Sequence, residues 1–303
     1  MAENNFNQWW KWAATIKRSF ISIYQRNLPK TAADLLSGIV LGGRGIDVSM
    51  KNKLASVGLS HVIAASGMNV SFVAGIVFFI LQPLRLKKIY KVIFAITMIF
   101  FYSTITGFDP PIVRALIMSV LVTIAGLLGR SSSMAKSLSI TAFIMLWVSP
   151  ELVTSASFLL SFAATTAQVF LSSLKLPVPN VIAPVIEIFL QSFLASVFTL
   201  PLILIFFTKF SLISFFINPV VLWTVEPLMI LGFLAGIGLT FFLLPASVLL
   251  NFFLKMVDIA AQIPNLNVNY VFSSTAFALF FTSGYYLLLI SVMIYVHERQ
   301  SSG

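Results

Sequence analysis

Long apolar segments, separated by short polar or basic loops, follow one another from residue 57 almost to the end of the chain. A helix that crosses a membrane needs about 20 mostly apolar residues, and most of these segments approach or exceed that length. The pattern predicts an all-α, polytopic integral membrane protein with about 8–10 transmembrane or broken helices. The predicted spans are residues 57–82, 89–107, 111–129, 135–149, 152–174, 181–208, 211–225, 227–244, 246–263 and 274–296.

The region before residue 57 has a different pattern. Over residues 9–28, aromatic and aliphatic side chains recur at helical spacing, while Lys11 and Arg18 belong to the opposite face. An aromatic face opposite a basic face is typical of a helix that lies in the membrane interface, so residues 1–30 are predicted to form an amphipathic interfacial segment. Residues 31–45 are also apolar, but this piece is too short to cross a bilayer.

Proline and glycine interrupt several of the predicted spans. Pro201 lies late in the span 181–208, and Pro219 and Pro227 flank the end of the next one. Gly232 lies inside the span 227–244. Interrupted helices are tolerated at membrane depth where neighbouring groups or a cavity satisfy the freed backbone groups. We therefore expect broken helices in the second half of the chain.

Composition excludes a soluble domain. The chain of 303 residues is 59% hydrophobic and only 9% charged, whereas soluble domains carry about 25% charged residues. It contains no cysteine, which excludes disulfides and thiol chemistry. The formal net charge is +10, and twelve of the 19 Lys and Arg residues precede residue 92. This excess fits topology signals and lipid headgroup contacts, and it also fits a path for a polyanion.

Loop charges predict an orientation. The loops 83–91 and 130–136 and the following loop at Lys175 are basic, whereas the alternate loops carry Asp109 and Glu151. Basic loops face the cytoplasm, so residues 108–110 and 149–151 are predicted to lie outside. A single crossing by 57–82 would place the N-terminal segment outside with eight basic residues. Either residues 31–66 are re-entrant, or the basic N-terminal segment is an exception on the outer face, and we favour the latter.

Residues 58–70 read GLSHVIAASGMNV and place small and polar side chains at the depth of a predicted span. Polar groups in hydrocarbon are costly unless they face protein or water, so this stretch is expected to line something. The motif G-L-S-H-x-x-A-x-S-G is similar to the signature of the ComEC-type competence proteins. Residues 41–44 resemble the family's L-G-D-R piece, 106–118 its T-G…R-A-x-x-M piece, and 150–164 its P…F-Q-L-S-F-x-A piece. Leu200, Pro201, Phe207, Phe210 and Asn218 follow a later pattern, so that the resemblance covers about residues 31–240.

The resemblance implies a channel that passes single-stranded DNA across the bacterial cytoplasmic membrane during natural transformation. It implies residues 31–297 as the channel domain, with 298–303 as a polar tail. Longer members carry an OB-type domain and a metallo-β-lactamase-like domain, so the channel domain alone is expected here. A DNA receptor, an ATPase and a nuclease would be separate proteins, since the chain has no Walker motif, and a homo-oligomer is possible. Gly43, Asn69 and Leu159 depart from the family pattern, which has an acid, often a histidine, and a glutamine at these positions.

Several residues are candidates for lining the path or contacting DNA. Arg114 lies three residues into a span and either contacts phosphate or pairs with Asp109. His61 either lines the path or makes a hydrogen bond between helices, and a catalytic pair with Ser66 is disfavoured because five residues on a helix turn about 140°. The lining candidates are Arg44, His61, Ser66, Gly67, Asn69, Arg114 and Ser161. The expected structural motif residues are Gly58, Ser60, Gly107, Pro201 and Asn218.

The sequence leaves function classes open. The first is the DNA channel, with basic side chains attracting the backbone and small or polar positions opening a path. The second is a small-solute or ion permease that uses the same broken helices, and the third is an intramembrane enzyme. We expect no catalytic residue, no cofactor and no metal site. A DNA channel should bind single strands with a steep salt dependence, and a permease should not.

Overall fold

The computed structural model describes residues 2–43, 46–63, 67–174, 183–263, 267–269, 272 and 274–301. Helices occupy most of these residues, and one pair of three-residue strands accompanies them. The helices are α1 (Ala2–Asn27), α2 (Lys30–Leu41), α3 (Val48–Ser56), α4 (Ser60–Ile63), α5 (Gly67–Leu81), α6 (Lys88–Thr106), α7 (Pro110–Leu127), α8 (Met134–Val148), α9 (Ala156–Ser173), α10 (Ala183–Phe207), α11 (Ser214–Leu222), α12 (Val225–Gly236), α13 (Leu243–Ala261) and α14 (Thr275–Ser301). The strands are β1 (Lys209–Ser211) and β2 (Asn267–Asn269).

Six of these helices are long and apolar enough to cross a membrane: α6, α7, α9, α10, α13 and α14. A seventh candidate is the pair α11 and α12, which are bent by 46° at their junction, while α5 and α8 are shorter apolar helices. The predicted fold class, an all-α polytopic membrane protein, is confirmed by the high helix content and by these apolar helices. Two of the predicted spans begin or end elsewhere than the hydropathy pattern indicated.

The chain forms two compact units. Unit 1 contains residues 1–132 and 220–263, and unit 2 contains residues 133–219 and 264–303. The centre of unit 1 is α2, in which every residue from 32 to 41 is buried, Asp34 included. Helices α1, α4, α12 and α13 surround it. The apolar piece that is too short to span is therefore a core helix.

Helix α1 is amphipathic, as the sequence predicts, but its apolar face meets protein. Ala13, Phe20 and Tyr24 are buried, and the helix packs against α2, α6 and α12. The Tyr24 hydroxyl donates to the Gly232 carbonyl of α12 at 2.7 Å. Trp12 stays 41% exposed beside Phe101. The contact with α2 and α12 explains the aromatic pattern without lipid, and the placement of this segment in the interface stays a prediction.

The rest of unit 1 is a three-helix hairpin of α5, α6 and α7, in which each helix contacts the other two. Val70, Ile99, Ile112 and Ala115 form its buried core. The N-terminus of α5 and the C-terminus of α6 lie at one end, because the three helices alternate in direction. The start of α7 lies there as well.

Unit 2 contains α8, α9, α10 and α14, with α9 and α10 as the most extensively packed pair. Strand β1 pairs antiparallel with β2, and Phe210 lies opposite Val268. No strand was predicted from the sequence, since three residues are too few to show an alternating pattern. Helix α10 is continuous through Pro201.

Two departures from the predicted spans have a backbone cause. The span 57–82 is not one helix from its predicted start, because α3 ends at Ser56, Gly58 has φ +77°, and α5 begins only at Gly67. The span 227–244 ends early, since α12 stops at Gly236 and Gly238 has φ +110°. A positive φ at glycine ends a helix at little cost, which a hydropathy pattern does not register.

Candidate functional site

The C-terminus of α2 is buried, and all four of its last carbonyl groups accept hydrogen bonds. These carbonyls are those of Gly38, Ile39, Val40 and Leu41. The Gly42 N–H donates to the first at 3.0 Å, and the Asn69 side-chain amide donates to the second at 3.0 Å. The Tyr102 hydroxyl donates to the third at 2.8 Å, and the Lys17 ammonium to the fourth at 3.1 Å. Helices α1, α5 and α6 are thus each tied to the same helix end.

These four hydrogen bonds meet a general requirement of buried helix ends. The last four carbonyls of a helix have no partner within the helix, and leaving them buried without one is costly. The Lys17 ammonium also carries positive charge to the negative end of the helix dipole. Asn69 is 3% exposed, and its side-chain amide makes this hydrogen bond inside the protein. A lining role for Asn69 stays a prediction.

The turn after α2 brings two of the sequence motifs together. Gly42 ends the helix with φ +80°. A Cβ atom on Gly43 would lie 2.7 Å from the Ile63 carbonyl oxygen, so the backbone of this turn rests directly on α4. A side chain at position 43 would collide with this carbonyl, which is why a glycine fits there. Arg44, a predicted contact residue, lies outside the described residues, as does Ser66.

Gly58 ends α3 in a Schellman motif. Its N–H donates to the Ala55 carbonyl at 3.1 Å, and the Leu59 N–H donates to the Leu54 carbonyl at 2.8 Å. Leu54 and Leu59 are both fully buried, which supplies the apolar contact that accompanies such an end. The chain reverses here and starts α4 at Ser60. Ser60 and His61 are exposed.

Gly67 and Arg114 meet at the end of the three-helix hairpin. A Cβ atom on Gly67 would lie 2.6 Å from Nη2 of Arg114 and 3.4 Å from the Pro111 carbonyl oxygen. Gly67 is the first described residue of α5, so the guanidinium lies beside the first described turn of that helix. Arg114 itself belongs to the second turn of α7, which begins with Pro110-Pro111. The guanidinium concentrates N–H donors and a full positive charge at this place.

The remaining predicted residues have identifiable local environments. Gly107 ends α6 with φ +86°, and its N–H donates to the Ser103 carbonyl at 2.9 Å. Ser161, Pro201 and Asn218 belong to unit 2. Oγ of Ser161 and Oδ1 of Asn218 are buried and have no hydrogen-bond partner within the described part of the chain. The structure thus brings the motif residues of α2, α4, α5 and α7 together within unit 1.

One ion pair lies at the start of α2 and α3, and a second joins the last turn of α3 to α13. The Lys30 ammonium bonds the Asp47 carboxylate at 2.8 Å, and Lys53 pairs with Asp258. The hydrogen bond from Lys30 holds the pKa of the Asp47 carboxyl below its ordinary value, and the same bond raises the pKa of Lys30. Both pairs border a cleft of about 250 Å³ that Asp34 also lines.

Sequence reasoning missed Lys17 and Tyr102. Both occupy positions where a polar group has no obvious purpose: Lys17 adjoins the apolar face of α1, and Tyr102 lies inside a predicted span. Such groups need partners when buried, and this was the available signal. The identity of those partners required the fold, because Tyr102 is 62 residues from Val40 in the chain.

The elements that meet in unit 1 carry the motifs quoted above, and the comparison with known families covers them. A family model described as "Competence protein" matches residues 39–299. The chain belongs to the Competence protein family. The match begins in α2 and ends in α14, so it includes most of both units, while α1 precedes it.

A curated relative supports this assignment. The chain is 23% identical over 201 residues to ComE operon protein 3 of Bacillus subtilis (strain 168). The match covers 66% of this chain and 26% of that relative, so the chain spans only a fraction of its length. No solved structure matches the chain.

Proposed function

We propose that this protein conducts single-stranded DNA across the bacterial cytoplasmic membrane during natural transformation. Membership of the competence family and the similarity to ComE operon protein 3 support a role in DNA uptake. Separate proteins, namely a receptor, an ATPase and a nuclease, would deliver the strand and drive its passage, and copies of the channel could associate. The chain itself contributes a membrane-embedded path and the groups that contact the strand.

The observation that carries the proposal is the position of Arg114. It lies in a helix long enough to span the membrane, and its guanidinium reaches Gly67 of α5. Arginine is always charged, which favours a negative phosphate group. Its planar guanidinium donates two parallel hydrogen bonds to phosphate oxygens. A passing phosphodiester would therefore meet a fixed charge and paired donors in one side chain.

The remaining predicted lining residues would extend this contact. His61 is exposed on α4, three helices before α7, which carries Arg114. Arg44, Ser66 and Asn69 complete the proposed set, and Ser161 is a further candidate in unit 2. A strand must also leave, so contacts should be few and exchangeable, and a single arginine meets that requirement better than a row of buried charges.

The test is DNA uptake by cells that carry Arg114 variants as their only copy. We expect Arg114→Gln to lower uptake strongly at an unchanged protein level, and Arg114→Lys to restore it only in part, since lysine keeps the charge and loses the planar geometry. Arg26→Gln, which removes an exposed charge from α1, is the control. If Arg114 only balances Asp109, the double variant Asp109→Asn, Arg114→Gln should recover what Arg114→Gln loses. Full uptake by Arg114→Gln would refute the phosphate contact.

A small-solute or ion permease is the second candidate, favoured by the bent pair α11 and α12 with Pro219 inside α11. Binding of an oligothymidine to the purified protein separates the two functions. A channel for DNA should bind it with an affinity that falls steeply as salt rises, because each phosphate contact releases counterions. A permease should show no such slope.

A further inference from the structure

Five basic residues lie at one end of the three-helix hairpin of unit 1. Helix α5 ends there, α6 begins there and α7 ends there, so two segments, residues 82–91 and 125–132, form this end. Neither segment contains Asp or Glu. We call this surface the basic rim, and its members are Arg85, Lys87, Lys88, Lys91 and Arg130.

One hydrogen bond joins the two segments, and two more lie within them. The Lys88 ammonium donates to the Gly126 carbonyl in the last turn of α7, and the Arg130 N–H donates to the Ala125 carbonyl at 2.9 Å. The Lys91 ammonium donates to the Gln82 carbonyl, just beyond the end of α5, at 3.2 Å. Lys88 and Lys91 therefore serve helix ends, where cations complement the helix dipole.

The other three members of the rim, Arg85, Lys87 and Arg130, differ from Lys88 and Lys91 in their contacts. All three are exposed, and no hydrogen bond or ion pair of their side chains is found within the described part of the chain. They lie among exposed apolar side chains: Leu84 is 47% exposed, Tyr90 57% and Leu128 67%. Helices α6 and α7 are long enough to cross the membrane, so their common end must lie at the level of the lipid headgroups.

We propose that the basic rim binds the phosphate groups of anionic phospholipids through Arg85, Lys87 and Arg130. The neighbouring leucines and the tyrosine enter the boundary between headgroups and acyl chains, as mixed basic and apolar surfaces do. A nucleic acid strand would need the cations but would gain nothing from exposed aliphatic side chains. The chemistry of the whole surface therefore fits a lipid better than DNA. The rim is a site separate from the Arg114 contact, since it occupies the opposite end of α7.

The experiment counts bound lipid on the purified full chain in detergent by native mass spectrometry, with phosphatidylglycerol and phosphatidylcholine as probes. The rim variant is Arg85→Gln, Lys87→Gln, Arg130→Gln. The matched control, Arg18→Gln, Arg26→Gln, Lys51→Gln, removes the same charge from exposed positions of α1 and α3. We expect the rim variant to lose about tenfold or more of its affinity for phosphatidylglycerol, since each basic residue near a membrane contributes measurably. Phosphatidylcholine binding should not change.

Two outcomes would overturn the proposal. Equal loss in the rim variant and the control would show that total charge, and not this surface, governs lipid binding. Unchanged phosphatidylglycerol binding with lost binding of an oligothymidine would assign the rim to DNA. Should the triple variant fold poorly, the double variant Arg85→Gln, Lys87→Gln changes only residues outside helices and should still lower the affinity several-fold. Its failure to do so would count equally against the proposal.

Discussion

Tyr102 and Tyr90 occupy the same helix, but only Tyr102 has a buried hydroxyl that serves another element. Tyr102→Phe leaves the Val40 carbonyl without this donor in a site that is closed to water. A buried polar group without a partner costs about 1–3 kcal/mol, so we expect the free energy of unfolding to fall by that amount. Tyr90 is 57% exposed, and Tyr90→Phe should be nearly neutral. Thermal unfolding in detergent measures both, and equal effects would contradict the capping role.

Gly67 permits a sharper test of the proposed phosphate contact than a bulky substitution. In Gly67→Ala the new Cβ would displace Nη2 of Arg114, the far end of a flexible side chain, while the Ala115 methyl at 3.3 Å needs only a slight shift. We expect normal protein levels and clearly reduced DNA uptake. Gly75→Ala on the same helix is the control, because its Cβ would have no neighbour within 4 Å.

Normal uptake by Gly67→Ala would show that the guanidinium need not lie beside Gly67. The more drastic Gly67→Leu should abolish transport or assembly, since its side chain must also pass the Pro111 backbone. If uptake and protein level were normal even then, this position would be neither closely packed nor part of the path.

The residue types identified structurally important positions, but they did not predict why each position is important. Gly58 was expected as a motif residue, and its positive φ ends α3 in a way that only a structure shows. Asn69 was expected to line a path, whereas its amide reaches a carbonyl 30 residues earlier in the chain. Spacing along a sequence indicates local backbone needs, but a partner this far away depends on how the helices pack.

At the scale of a helix, α10 shows how unit 2 accommodates Pro201. Proline has no N–H, so the Val197 carbonyl four residues earlier loses its usual partner. The Tyr285 hydroxyl of α14 donates to that carbonyl at 2.9 Å, and Tyr286 donates to the Phe198 carbonyl at 2.8 Å. The sequence predicted that neighbouring groups would satisfy freed backbone groups, but not that a tyrosine hydroxyl of α14 would do so.

This pairing predicts a coupling between two substitutions. Tyr285→Phe should lower the free energy of unfolding by about 1 kcal/mol, because it removes the donor to Val197. In a Pro201→Ala background residue 201 regains an N–H that can bond the same carbonyl, so Tyr285→Phe should cost less than half as much. A double-mutant cycle on thermal unfolding measures the difference. Strict additivity would mean that the hydroxyl and the missing N–H are unrelated.

The glycines in α12 have a different structural role from the one that the sequence suggested. They were expected to loosen the helix, but α12 is regular from Val225 to Gly236. A Cβ atom on Gly232 would lie 2.7 Å from the Val40 side chain, so this glycine allows α2 to approach. Hydropathy predicts where a helix runs, and close approach between helices appears only when both are placed.

The whole molecule has an orientation that the loop charges predict and that labelling can test. The chain has no cysteine, so single cysteines can be introduced without a background. In intact cells, cysteines at positions 87 and 133 should resist a membrane-impermeant reagent, and one at position 109 should react, because basic loops stay in the cytoplasm. Lysis should make all three reactive, and the reverse pattern in intact cells would invert the orientation.

The positions of most long helices followed from the sequence, because length and apolarity are local properties. The division into two units did not. Helices α12 and α13 complete the unit that begins at the N-terminus, although the whole of α8, α9 and α10 intervenes. A hydropathy pattern does not show that the chain returns to its first unit. The contacts that define this unit join residues as distant in the chain as Tyr24 and Gly232.

The interleaved order of the units has a consequence for synthesis. The ribosome delivers Tyr24 long before Gly232, and the two are 208 residues apart. At about 5–20 residues per second, the buried face of α1 waits roughly 10–40 seconds for its partner. During that interval α8, α9 and α10 emerge and must not occupy the place that α12 will take. The nascent chain therefore keeps its first unit unfinished, and it is then that insertion factors or chaperones have most to protect.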